Sequence, residues 1–186
     1  MKLLVAIDGS RASDSALEVV LERAWPPGTQ IRLTHVVSSA GPHAAPFDSV
    51  ESAAEALNGL AHNCFAVFPH LTFDVGIEEG AVADSLLAMA AAWASDLIVM
   101  GTNDRTGLDR LLLGSVSQQV LERAHCPVLI GRKADNGRGS LEKGNVLVAV
   151  DDSPASAAAV EWLMKQPWAT GKTVGLLSLV DRLPDS

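Results

Sequence analysis

Ile98-Val99-Met100-Gly101-Thr102-Asn103-Asp104-Arg105-Thr106-Gly107, followed by Leu111-Leu112-Leu113-Gly114-Ser115, is the stretch on which the reading of this chain turns. An apolar run of strand length enters a polar loop, and a second glycine beside a hydroxyl residue opens an amphipathic segment, Ser115 to Ala124. Strand, loop and helix in that order belong to an α/β protein. The same order supplies what an anion needs: closely approaching backbone N–H groups, no Cβ in the way, and a helix N-terminus aimed at the charge. Gly101, Gly114 and Ser115 are therefore candidate phosphate contacts. On a purely structural reading, Gly101 is a strand-end glycine and Gly114 a helix cap.

Outward from this stretch the alternation continues. Leu3 to Ile7 is an unbroken apolar run, as in a parallel strand covered on both faces. Ser13 to Ala24 has helical periodicity with Ser13 as N-cap, and Pro26-Pro27-Gly28 stops it. Ile31 to Val37, Leu71 to Val75, Leu97 to Met100 and Val128 to Ile130 read as further strands, with helices over Val50 to Val67 and Ala81 to Ala94. Ser38 to Pro46 is a loop of small residues. The stripe Leu86, Leu87, Met89, Ala90 and Trp93 packs its helix on the sheet. Such alternation predicts a parallel sheet with right-handed crossovers.

Asp8 closes the first strand, where ligands gather in open α/β sheets, so its carboxylate is a candidate acceptor for a base or ribose. Its structural alternative is to cap the turn that follows. His35, near the end of the second strand, reads as a hydrogen-bonded core or rim residue. His125-Cys126 has no further Cys or His at ligand spacing, so no zinc site is expected. There is no Gly-x-Ser-x-Gly elbow and no lysine in the glycine loop, which argues against a serine-triad hydrolase or a Walker-type ATPase.

The 186 residues, 48% of them apolar, suffice for one domain and a remainder. A net charge of −8 argues against nucleic acid as partner, although Arg105 and Arg110 offer local cations to a small anion. The apolar run after Lys2 is too short for a signal-peptide core, and Ser85 to Ser95, bracketed by Asp84 and Asp96, is too short to span a bilayer. The expectation is a cytoplasmic chain, away from membranes, with Cys64 and Cys126 as free thiols.

Residues 133–144 lack periodicity and read as a linker. After it the chain repeats its own beginning. Val146-Leu147-Val148-Ala149-Val150-Asp151-Asp152-Ser153 follows Leu3-Leu4-Val5-Ala6-Ile7-Asp8-Gly9-Ser10, and at the same offset Ser156, Ala159, Trp168 and Gly171 match Ser13, Ala16, Trp25 and Gly28. Residues 145–186 are thus expected to form a β-α-β half-domain beside a first domain of residues 1–132. Its apolar faces must dock on that domain or on another chain.

Val5-Ala6-Ile7-Asp8-Gly9-Ser10, Asp96-Leu97-Ile98-Val99-Met100-Gly101, and the run Leu111 to Val116 with Cys126-Pro127-Val128-Leu129 together resemble the universal stress protein family over residues 1 to about 132. Residues 145–186 are similar to the start of the second domain of a tandem member. The resemblance implies an open five-stranded parallel sheet of order 3-2-1-4-5 with helices on both faces, akin to the adenine nucleotide alpha hydrolases. It implies ATP, or ADP or AMP, as ligand, with Mg²⁺ as companion, and a homodimer. Carried over residue by residue, Asp8 and the Val36 backbone meet the nucleoside. Gly101, Gly114, Ser115, Val116 and Ser117 face the phosphates, with Thr102 and Asn103 alongside.

Where ATP-binding members have the second glycine of their loop, this chain has Asp104. Like charges about 4 Å apart repel by roughly 1 kcal/mol in water and about 4 at a protein surface, which weakens binding by about one to three decades. Mg²⁺ between Asp104 and the phosphates, or Arg105, offsets this. Two functions follow: a nucleotide-dependent stress-response regulator, or a dimeric interaction scaffold that binds no nucleotide. Catalysis beyond slow ATP hydrolysis is not expected, since Asp8 is the sole clear candidate base.

Overall fold

The computed structural model describes residues 1–38, 47–102, 114–131 and 146–178. Five strands, β1 (Lys2–Ala6), β2 (Gln30–Val37), β3 (Thr72–Glu79), β4 (Leu97–Gly101) and β5 (Val128–Gly131), form one sheet in the order β3-β2-β1-β4-β5. Every neighbouring pair is parallel. The helices between them are α1 (Arg11–Leu21), α2 (Val50–Val67), α3 (Val82–Ala92) and α4 (Ser115–Arg123). The expected α/β sheet, its order and its parallel pairing are all present.

Strand alternation divides the core in two. Leu3 and Val5 of β1, with Ile31 and Leu33 of β2, pack under Ala16, Leu17 and Val20 of α1 and Leu57 of α2. Leu4 of β1, Val36 of β2 and Ile98 of β4 face the other way, under Leu86, Met89 and Ala90 of α3 and Val120 of α4. The central strands are apolar on both faces because both faces are covered.

Two boundaries differ from the sequence reading. α1 begins at Arg11, and its cap is Ser10 rather than Ser13. The Ser10 hydroxyl accepts from the Ser13 N–H at 3.2 Å, and the Ser13 hydroxyl donates to the Ser10 carbonyl at 2.8 Å. β3 runs on to Glu79, since an edge strand can carry Asp74, Glu78 and Glu79 at little cost.

The C-terminal repeat folds as β6 (Val146–Val150), α5 (Pro154–Met164), a 3₁₀ turn at Pro167–Ala169, and β7 (Val174–Ser178), with β6 and β7 parallel in their own two-stranded sheet. Trp162 and Trp168 pack against the core under α1, and the Arg23 guanidinium lies 5.0 Å from the Trp168 ring centroid. These tryptophans bring the repeat against that core, while Leu147, Leu176, Leu177 and Met164 are exposed.

Candidate functional site

β1 and β4 are neighbours in the sheet but far apart in sequence, and the helices that leave them cover opposite faces. A crevice forms where strand order reverses in this way, outside the carboxyl ends of the strands. Here it is a cleft of about 240 Å³, walled by Ile7, Asp8 and Ser10 after β1, Thr34 to Val36 of β2, Gly101 of β4, and Gly114 to Ser117 at the start of α4. Small-molecule sites run to roughly 300–1,000 Å³, so the cleft enclosed by the described walls falls somewhat short of that range.

Seven of the eleven residues singled out from sequence line this one cleft: Asp8, Val36, Gly101, Gly114, Ser115, Val116 and Ser117. Thr102 is buried beside it, its N–H donating to the Gly131 carbonyl at 3.3 Å, and is not part of the lining. Asn103, Asp104 and Arg105 lie outside the described residues.

The start of α4 forms another wall of the cleft. Its N-cap is Gly114, which has no side chain to accept from the first-turn N–H groups, and among the described residues no side chain caps them. Ser115 and Val116 begin that turn, and the buried Ser117 hydroxyl donates to the Gly101 carbonyl at 3.4 Å, tying helix to strand. Among the described residues a Cβ on Gly114 would meet nothing within 4 Å. No lysine or arginine is among the described lining residues. An anion held here would rest on backbone dipoles and hydroxyls.

Gly101 has a reason the sequence reading did not supply. A Cβ there would stand 1.9 Å from the Ala12 carbonyl oxygen of α1. Gly131, its partner in the β4–β5 register, is equally constrained, with the Ala16 Cα at 2.7 Å. The two glycines together let α1 lie close on β4 and β5.

Asp8 is exposed, and its Oδ1 accepts from the Ser10 N–H at 2.9 Å, leaving Oδ2 without a hydrogen bond among the described residues. Asp151 does the same for Ser153 at 3.0 Å, and neither is among the described residues that line this cleft. Recurrence of the aspartate therefore reflects the turn, and its value as a sign of ligand binding is smaller than the repeat implied.

Several lining residues escaped the sequence reading. Ser10 was legible in principle, since Asp8-x-Ser10 returns as Asp151-x-Ser153. Thr34 is fully buried in β2, and His35 beside it is a wall of the cleft. Among the described residues no cluster of three or more His, Cys, Asp or Glu side chains could hold a metal ion, and no helix is long and apolar enough to cross a membrane.

Fold and cleft define a doubly wound α/β protein with a ligand crevice at its topological switch point. The universal stress protein family model matches residues 1–132, and the chain belongs to that family. A universal stress protein of Methanocaldococcus jannaschii is 51% identical over 55 residues, 30% of this chain and 32% of that one. One of Mycolicibacterium smegmatis is 28% identical over 188 aligned positions, 95% of this chain and 62% of the relative. The chain thus spans about a third and about three-fifths of these relatives. Among solved structures, a universal stress protein from Archaeoglobus fulgidus superimposes with a TM-score of 0.74 at 23% identity, over 97% of this chain and 68% of the other. A universal stress protein in complex with cAMP superimposes at 0.55 and 22% identity, over 72% of this chain and 98% of the other.

Proposed function

We propose that this universal stress protein binds an adenine nucleotide in the cleft between β1 and β4 and acts as a nucleotide-dependent regulator. The observation that carries the reading is the uncapped α4 N-terminus, whose first turn faces the same crevice as Asp8 and Val36. The phosphates lie over Gly114, Ser115, Val116 and Ser117, where the helix dipole and free N–H groups favour negative charge. The nucleoside lies toward Val36 and Asp8, with Asp8 Oδ2 accepting from the sugar or base. By the family resemblance Asn103, Asp104 and Arg105 are further candidate contacts, and Mg²⁺ would offset the charge that Asp104 brings toward the phosphates. The cAMP-bound neighbour supports an adenine nucleotide as ligand class.

In this reading residues 133–144 link the first domain to a partial second one at 145–186. The protein is cytoplasmic, and nucleotide occupancy favours one conformation or one homodimer. Titration calorimetry with Mg-ATP tests the core claim, beside analysis of nucleotide released on denaturing the purified chain. Binding is expected, and Asp104→Gly should tighten it by about one to three decades. No heat and no released nucleotide would overturn the reading in favour of the dimeric scaffold.

A further inference from the structure

His35 ends up in the cleft wall with a hydrogen-bonding atom unused. The residue is 8% exposed, and its Nδ1 lies 2.8 Å from the Ile7 carbonyl oxygen. A carbonyl oxygen only accepts, so Nδ1 carries the hydrogen and donates. In the neutral ring Nε2 is then a bare acceptor. Nε2 has no hydrogen-bond partner among the described residues and is sealed from solvent. Buried polar groups are nearly always paired, and an acceptor left unpaired costs its full desolvation.

Its surroundings fix which part of a ligand could reach it. The Phe47 ring packs on the imidazole at 4.8 Å between centroids, and the same ring lies over Gly9, where a Cβ would meet it at 2.8 Å. His35, with Asp8 and Ser10, lines the β2 side of the cleft, across β1 from β4, and Phe47 packs on the imidazole from outside that lining. One end of the crevice holds the start of α4, and the other holds His35, whose unpaired Nε2 lies in a ring packed against Phe47.

Resting on the nucleotide reading above, we propose that His35 is a specificity-determining residue for the nucleoside. When the ligand enters, Phe47 turns aside and Nε2 accepts a hydrogen bond from an N–H or O–H of the nucleoside. The donor is the exocyclic amine of the base or a ribose hydroxyl. Ligands without that donor leave Nε2 unpaired and bind more weakly, because a site built around a hydrogen bond discriminates against the analogue that lacks it.

The test is calorimetric titration of the full chain with Mg-ATP, inosine triphosphate, 2′-deoxy-ATP and 3′-deoxy-ATP, for the unmodified protein and for His35→Asn. Asparagine keeps a donor toward the Ile7 carbonyl and removes the acceptor at Nε2. His35→Asn should weaken ATP about tenfold or more with an unchanged melting temperature. One analogue should lose a similar factor on the unmodified protein and lose nothing further on the variant, and that analogue identifies the donor as base or sugar. If the unmodified protein binds ATP and the folded variant binds it equally well, the proposal is overturned and the nucleotide reading stands. Equal affinity of the unmodified protein for all four nucleotides also overturns it, and this arm decides the matter if His35→Asn does not fold. Absence of any binding by the unmodified protein overturns both readings.

Discussion

β1-α1-β2 and β6-α5-β7 are built with the same turn chemistry and buried to opposite degrees. In each, an aspartate Oδ1 accepts from the N–H two residues on, at 2.9 Å for Asp8 and 3.0 Å for Asp151. In each, a serine caps the helix by accepting from the N–H three residues later, at 3.2 Å for both Ser10 and Ser153. Gly28 and Gly171 both sit at φ 77°, in a left-handed turn that only glycine adopts freely. Yet Leu4 is wholly buried while its counterpart Leu147 is 68% exposed. Ala16 is likewise buried beneath the glycine of β5, and Ala159 is exposed. Local sequence is enough to set caps, turns and strands. What decides burial is the rest of the sheet, which the second copy does not have among the described residues.

The largest effect that separates the copies is core truncation. Leu4→Ala should cost about 2–5 kcal/mol, whereas Leu147→Ala should stay within about 0.5 kcal/mol. Urea unfolding followed by circular dichroism measures both. Comparable losses would mean that a further surface covers β6 in solution, and the contrast between the copies would fail.

Next comes the close approach of α1. Gly101→Ala drives a Cβ into the Ala12 carbonyl, so α1 must lift off β4, at the upper end of the about 1–3 kcal/mol typical of overpacking. Ala159→Leu, on the matching face of α5, should change stability by no more than about 0.5 kcal/mol. The pair is read from the same unfolding curves. A mild Gly101→Ala would show that this glycine serves the cleft alone.

These residues also mark where sequence stops being informative. The alternation of strands and helices, α2 at Val50–Val67 among them, was legible because apolar spacing reports on which face is covered, whereas the order of the strands came only from the resemblance to the universal stress protein family. Asp8 and the α4 N-terminus were legible as neighbours once strand order was known. The close contact behind Gly101 was not, since it depends on Ala12 and Ala16 arriving from α1 at an unknown distance. Nor was the role of His35, because its partner is a carbonyl 28 residues away and its orphaned nitrogen exists only in three dimensions. The Ser10 cap was misread as Ser13 because both hydroxyls belong to one reciprocal motif, and spacing alone does not say which residue precedes the first turn.

A smaller effect separates the two tryptophans. Trp25 Nε1 donates to the Val20 carbonyl at 2.7 Å, while Trp168 Nε1 is buried without a partner among the described residues. The equivalent carbonyls accept the same backbone bond in both copies, Val20 from the Arg23 N–H at 3.3 Å and Leu163 from the Gln166 N–H at 3.0 Å, so the difference lies in the indole alone. Trp25→Phe should therefore cost about 1 kcal/mol more than Trp168→Phe, since both lose similar ring area and only the first loses a hydrogen bond. Equal costs would show that Trp168 finds a water the comparison leaves out.

The finest distinction is where one hydroxyl points. In the first copy the Ser13 hydroxyl donates to the Ser10 carbonyl; in the second the Ser156 hydroxyl donates to Asp151 Oδ1 at 2.6 Å. The Ser153 side chain, then Ser156 and the Ser153 N–H, hold the Asp151 carboxyl down from 3.8 to about 2. A carboxyl with a depressed folded pKa stabilises the fold above its unfolded value, and that contribution is lost as pH falls through the folded one. The turn before α5 should therefore hold above about pH 4 and loosen as pH drops toward 2. Carboxyl-carbon NMR titration should place the Asp151 midpoint near 2, and Ser153→Ala or Ser156→Ala should raise it. A midpoint that neither substitution moves would mean these hydroxyls face solvent, and the two copies would then differ in burial alone.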